Sequence, residues 1–319
     1  MKAIRVRQFG GPEVLRLEEV PDPKPGRSQV LIRARAVGVN PVETYLRAGM
    51  NPKLALPCTP GTDAAGEVLA RGEAAGDWTA GARVYTSGCV SGAYAELVVC
   101  EAADAHPLPD RVSFAQGAAV NIPFATAWRA LFQRGQAVPG ETVLVHGGSG
   151  GVGTAAIQMA RNAGLKIIAT AGTEKGGALL RQLGAHHVVN HRNSGYVSEI
   201  MAATAGRGVD LILELLANVN LGRDLGLLAM RGRVVVIGSR GKVELDARDA
   251  MMRDADIRGL LLFNVTASEK ASIHAALGAG LANGTLAPVI GAEFPLAEAA
   301  RAHEQVMAPG AHGKIVLLP

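Results

Sequence analysis

The stretch that most restricts the fold is TVLVHGGSGGVGTAAIQMARNAG, Thr142 to Gly164. An apolar run ends at His146, Gly148-Ser149-Gly150-Gly151-Val152-Gly153 fits GxGxxG, and Val152, Ala156, Met159 and Ala163 then recur at helical spacing. The glycines permit a tight turn, a close approach of backbone to a pyrophosphate, and tight packing of helix on strand. The helix start adds free N–H groups and the positive end of a dipole. Alone the motif is weak, but between a strand and a helix it predicts a dinucleotide-binding loop.

The rhythm of the chain beyond the loop strengthens that reading. The apolar runs TVLVH, KIIATA, HVVNH, DLILEL and RVVVIG begin at residues 142, 166, 187, 210 and 233, with helical stretches between them. Repeated strand–helix units of this kind predict a doubly wound parallel sheet with right-handed crossovers. Residues 1 to about 120 read differently, as short strands broken by Gly and Pro (KAIRVRQF, VLRLEEV, QVLIRARAV, AAGEVLARG, ARVYT, GAYAELVVC), which predicts a β-rich region. After about residue 265 come one helix, EKASIHAALGAGLANG, and a closing strand, GKIVLLP.

The second strand of the series indicates which dinucleotide. An NAD site carries an acid at that strand's end, about 20 residues past the first glycine. Here the strand ends Thr170-Ala171-Gly172, with Lys175 just beyond and His191-Arg192 after the third strand. Those groups suit a 2′-phosphate, so NADPH is favoured. The competing reading makes Lys175 a solvated side chain and sends Glu174 to the ribose.

The same glycine loop contains GxSxG, which raises a serine hydrolase with Ser149 as nucleophile and Asp246 or Asp249 and His303 or His312 as partners. Five glycines in the seven residues 147–153 match phosphate cradling better.

The net charge of +4 admits nucleic acid as a partner, but the basic residues are dispersed. A dispersed positive charge also suits an anionic cofactor. No apolar run reaches the ~18 residues of a membrane span. The start, MKAIRVRQFGG, has no signal-peptide core, and Cys58, Cys89 and Cys100 form no CxxC pair. A cytoplasmic protein is expected.

Beyond these patterns the chain resembles the zeta-crystallin branch of the quinone oxidoreductases, zinc-free members of the medium-chain dehydrogenase/reductase superfamily. The resemblance rests on GETVLVHGGSGGVGTAAIQMAR and, in order, on FGGPEVL, GVNPVETYLRAG, PGTDAAGEV, AGTEKG, ELLANVNL, VVIGSRG and HGKIVLLP. It implies an α/β chain with a discontinuous GroES-like catalytic domain, residues 1–121 and 265–319. A Rossmann NADPH-binding domain, 122–264, stands between. It also implies NADPH-dependent quinone reduction in an interdomain cleft, and a homodimer or homotetramer. By similarity Asn40 and Tyr45 line the nicotinamide and quinone site, Thr126 lies where the domains meet, and Gly150, Gly151, Val152 and Gly153 cradle the pyrophosphate. Gly172, Lys175 and His191 approach the adenosine side, where other members often have tyrosine in place of His191. Asn218, Asn220, Gly238, Ser239, Arg240, Phe263 and Lys314 complete the cofactor trough. Bland readings stand beside these: Asn218 and Asn220 as helix caps, Phe263 as core.

Zinc dehydrogenases of the superfamily place a Cys where this chain has Asn40, and a His–Glu pair where it has Thr62-Asp63. No cysteine quartet is present for a structural zinc. His187 and His191, in a strand, would stand roughly 13 Å apart, too far to share an ion. The remaining histidines read as isolated, so no metal is expected. Without one, a quinone is a suitable acceptor, because hydride attack yields a delocalised aromatic oxyanion that hydrogen bonds can stabilise. Asn40 would donate to a carbonyl oxygen, and Tyr45 would donate or relay a proton. Reduction of an enone or alkenal double bond is the nearest alternative; an RNA-binding or structural protein retaining the cofactor site is the more distant one.

Overall fold

The structure is a computed structural model that describes residues 1–319. The chain forms two compact units, Met1–Ile122 with His274–Ala308 and Gly313–Pro319, and Pro123–Ile273 with Pro309–His312. The return to the first unit, expected at 265, lies at 274, inside the helix Ala267–Asn283. No Gly or Pro break marks it, because one continuous helix carries the chain across the boundary.

In the second unit the apolar runs are strands of one parallel sheet. Its order is His187–Asn190, Lys166–Ala171, Thr142–Val145, Val209–Glu214, Leu228–Val236, Asp256–Gly259. In chain order that is 3-2-1-4-5-6, the doubly wound arrangement that leaves a crevice outside the carboxyl ends of the first and fourth strands. The central strands are apolar without alternation because both faces are covered: Val143, Leu144, Ile167, Ile168, Leu211, Ile212, Val234 and Val235 are all at most 1% exposed. One detail differs from expectation. The fifth strand begins at Leu228 rather than 233, interrupted where Arg231 takes φ 62°. A sixth strand, Asp256–Gly259, forms the far edge.

In the first unit, the eleven-residue strand Gln29–Val39 is the scaffold. It pairs antiparallel with Ala64–Arg71, with Leu97–Glu101 and with the closing strand Lys314–Leu318. Ile315 lies opposite Val39 and Leu317 opposite Val37, so a distant segment of the chain completes a sheet begun near its start. Ile4, Val37, Val39, Tyr94, Val98, Phe294 and Leu317 pack on that sheet as a core. Asn40 then ends the strand and caps the helix Pro41–Arg47, with the Glu43 carboxylate reaching back to accept from the Asn40 N–H at 2.7 Å. GVNPVETYLRAG is therefore a strand end and a capped helical turn. No helix is long and apolar enough to cross a membrane.

Candidate functional site

The glycine loop of the second unit runs from the strand Thr142–Val145 into the helix Gly151–Asn162. Gly147 makes the turn at φ 57°, a left-handed conformation that glycine adopts freely. A β-carbon on Gly153 would lie 2.5 Å from the Gly148 α-carbon, so those two glycines let helix and loop touch. Gly150, at the N-cap, is different: a β-carbon there would meet nothing nearer than 3.5 Å. The protein itself does not require glycine at 150; a group approaching the helix N-terminus would. The first N–H groups of that twelve-residue helix have no partner within it and carry the positive end of its dipole. This arrangement fits a pyrophosphate. The Ser149 hydroxyl donates to the Ala311 carbonyl at 2.7 Å, and Asp246 accepts from the Arg248 N–H as a helix cap. Neither is arranged as part of a Ser–His–Asp triad.

At the end of the second strand, Gly172 lies against the His191 ring and the Arg192 guanidinium: a β-carbon on Gly172 would stand 2.8 Å and 3.1 Å from them. Lys175 is exposed in the first turn of the helix Glu174–Leu183, beside Glu174. Burial, and then the charges of His146 and Arg192, hold His191 below its ordinary value.

A third group gathers at the carboxyl ends of Val209–Glu214 and Leu228–Val236. Asn218 accepts from the Arg240 N–H at 2.8 Å, Ser239 donates to the Gly241 carbonyl, and Asn220 donates to Glu214 at 3.3 Å. Gly238 packs so closely on Leu215 that a β-carbon would strike its carbonyl oxygen. Asn218 and Asn220 lie inside the helix Ala217–Leu227, whose N-cap is Leu216, so they are not caps. Phe263 is 55% exposed and is not core. Thr126 is buried in a short helix, Thr126–Trp128, flanked by two π-helical turns.

The first unit supplies a buried polar network. Asn40, 2% exposed, donates both amide hydrogens, to Asp63 at 2.9 Å and to Glu43 at 3.1 Å, and accepts from the Lys314 ammonium. Lys314 also pairs with Asp63 at 3.1 Å, and Asp63 accepts from the Asn121 amide and the Ile122 N–H. From Glu43 the chain of contacts continues through Tyr94 (2.8 Å) and His303 (3.0 Å) to Arg47 (3.2 Å). Burial pushes Glu43 up to about 7 against the pull of Lys314, and lifts Tyr94 well above its ordinary value. Burial and the neighbouring Arg47 hold His303 down at about 4. A neutral His303 accepts from Arg47 at Nδ1 and donates from Nε2 to the Tyr94 oxygen, whose hydroxyl donates to Glu43.

Two expectations change here. Asn40 has no amide hydrogen left for a substrate carbonyl. Lys314, 4% exposed, is engaged inside this network instead of lining a trough. Tyr45 lies on the same short helix and is half-buried.

The histidines are not isolated either. His106 and His274 stack with ring centroids 4.0 Å apart. In the second unit His146 Nε2 lies 2.9 Å from Asp224 and 3.8 Å from Glu214, all three buried. Sequence reading missed both groups, since residues 146, 214 and 224 share no spacing that would mark them.

The family models matched are "Alcohol dehydrogenase GroES-like domain" over residues 26–110 and "Zinc-binding dehydrogenase" over 151–277. The chain is 49% identical over 321 residues to the quinone oxidoreductase of Homo sapiens, covering 100% of this chain and 98% of that one. Among solved structures, the Escherichia coli quinone oxidoreductase complexed with NADPH superposes with a TM-score of 0.89 at 29% identity, covering 100% of both chains. An NAD-dependent alcohol dehydrogenase superposes with a TM-score of 0.93 at 30% identity, also over 100% of both. The GroES-like and Rossmann folds, the glycine loop and the full-length identity agree, and the chain belongs to the quinone oxidoreductase family of the medium-chain dehydrogenase/reductase superfamily.

Proposed function

We propose that this protein reduces quinones with NADPH and without a metal. The observation that carries the cofactor is the pairing of an open Gly150 cradle with Lys175, His191 and Arg192 around Gly172, and no acid at that strand end. The helix N-terminus at Gly150 to Gly153 would hold the pyrophosphate, and the basic groups the 2′-phosphate. When bound, NADPH supplies the hydride. The Asn218–Arg240 and Leu215–Gly238 contacts shape the wall at the carboxyl ends of the fourth and fifth strands.

The metal-free reading is supported by Lys314. Its ammonium contacts Asn40 and Asp63, which stand where zinc members of the superfamily hold ligands. A protein-borne cation thus already balances the charge there. With Asn40 occupied, Tyr45 is the side chain we assign to donating a hydrogen bond or proton to the reduced oxygen.

We also infer a homodimer, formed through the sheet edge Asp256–Gly259. Ile257, Leu261, Phe263, Met230, Met251 and Met252, on and near that edge strand, are 45–65% exposed, an apolar surface that a second copy would cover.

The test is a panel of quinones and alkenals with NADPH or NADH, oxidation being followed by absorbance. Quinone turnover with NADPH in preference to NADH is expected. Turnover confined to alkenals, or equal use of NADH, overturns the reading. Light scattering of wild type and Ile257→Lys tests the dimer, which the charge should dissociate; a monomeric wild type refutes it.

A further inference from the structure

Beneath the glycine loop lies a group that the cofactor reading does not use. Glu214 ends the strand Val209–Glu214 and is 0% exposed; Asp224, on the helix Ala217–Leu227, is 1% exposed; His146, at the end of Thr142–Val145, is 3% exposed. Most of their polar atoms are accounted for. His146 Nε2 and Asp224 Oδ1 are 2.9 Å apart, a hydrogen-bond separation. Glu214 Oε1 accepts from the Leu216 N–H and from Asn220. Two buried oxygens are left without a hydrogen-bond partner, Asp224 Oδ2 and Glu214 Oε2, the latter 3.8 Å from His146 Nε2.

Two carboxylates that share a dry site cannot both ionise without large cost. A single proton between the unpartnered oxygens satisfies both at once. We propose that Glu214 carries that proton, donates it from Oε2 to Asp224 Oδ2, and thereby positions the backbone that receives NADPH. Burial also pushes Glu214 up to about 7. Burial opposes charge on His146, but the Asp224 hydrogen bond and the two acids outweigh it and raise His146. The other ionisable groups that feel the cluster are Arg223, His191 and Tyr196.

The cluster is wired to each strand end of the cofactor crevice. His146 precedes Gly147, whose N–H donates to Thr170 Oγ1 at 3.1 Å, and that hydroxyl lies 3.5 Å from His146 Nδ1. The Glu214 carbonyl accepts from the N–H groups of Ile237 and Gly238, at 2.8 and 3.2 Å. The Glu214 side chain fixes Leu216, the N-cap of the helix that carries Asn218. Losing the proton would set two buried anionic oxygens against each other beneath all three segments. The ligand atoms of the three residues also lie within 4.8 Å of one another, a spacing open to a divalent cation. The 2.9 Å contact of His146 with Asp224 is a hydrogen-bond separation, and the metal content of the purified protein decides between proton and ion.

This inference rests on the glycine-loop reading of the cofactor site, and the experiment separates the two. NADPH affinity is measured between about pH 6 and about pH 9 for wild type, Glu214→Gln and Glu214→Ala, together with infrared spectra of each. Glutamine keeps the donation to Asp224 and the acceptor for Leu216 at every pH. The ratio of wild-type to Glu214→Gln affinity should fall about tenfold through neutral pH, the titration of the ligand, common to both, cancelling in that ratio. Glu214→Ala should bind weakly throughout. The wild-type minus Glu214→Gln difference spectrum should show a protonated-carboxyl band, since any band from Glu43 is common to both. Parallel pH profiles with no such band, or stoichiometric divalent metal in the purified protein, overturn the inference. If wild type fails to bind NADPH even at low pH, the glycine-loop reading falls, while the carboxyl band still decides the proton.

Discussion

Lys314 and Asp63 form an ion pair of 3.1 Å in which both side chains are at most 4% exposed. Removing one partner leaves the other charge buried, which costs about 3–5 kcal/mol, whereas replacing both with apolar residues is far milder. Lys314→Met and Asp63→Leu should each lower the denaturation midpoint sharply, and the double variant should recover only part of the loss, because Asn40, Asn121 and the Ile122 N–H still lose their buried acceptor. Urea unfolding of the three variants tests this.

Gly150 and Gly153 should separate binding from folding. A β-carbon at 153 strikes the Gly148 backbone, and one at 150 makes only ordinary contacts, at 3.5 Å and beyond. Gly153→Ala should cost ~1–3 kcal/mol through overpacking. Gly150→Ala should leave the melting temperature unchanged and weaken NADPH by about tenfold or more, as a methyl group enters the pyrophosphate cradle. Calorimetry of folding and of binding, run on both variants, gives the comparison.

Cofactor choice should follow charge at the end of the second strand. Lys175→Ala and Arg192→Ala should each weaken NADPH about tenfold, the scale of one lost charge-assisted hydrogen bond, with NADH affinity unchanged. Equal losses for both cofactors would mean that these side chains touch something the two share.

His303 makes a pH prediction. Its folded value, about 4, lies below the ordinary 6.5 because burial and then Arg47 disfavour the cation. The unfolded chain therefore takes up the proton first, and stability declines as pH falls from 6.5 toward 4 and levels off below. The loss amounts to about 3 kcal/mol at most. His303→Gln should flatten that part of a stability-versus-pH curve, read from denaturant midpoints.

The fold was legible wherever a pattern repeats locally. Five parallel strands showed as apolar runs, and the loop between Val145 and Gly151 showed as glycine. The candidate site was legible only in part. Asn40 looked like a free donor because its partners Asp63 and Lys314 lie 23 and 274 residues away. His146 looked isolated because Asp224 is 78 residues on. Buried polar contacts are made by topology, and topology leaves no spacing in the chain.

The pairing of Gln29–Val39 with Lys314–Leu318 has a consequence for synthesis. The strand that organises the first unit leaves the ribosome long before its neighbour on that side is made. The second unit, nearly contiguous, has all its strands well before then and can fold during translation. The first unit must wait, with the edge at Val37 and Val39 unpaired, until Lys314–Leu318 emerges. A chain that stops short of Lys314 would keep that edge open permanently. Such a truncated product should consist of a folded nucleotide-binding half joined to an adhesive, incomplete sheet.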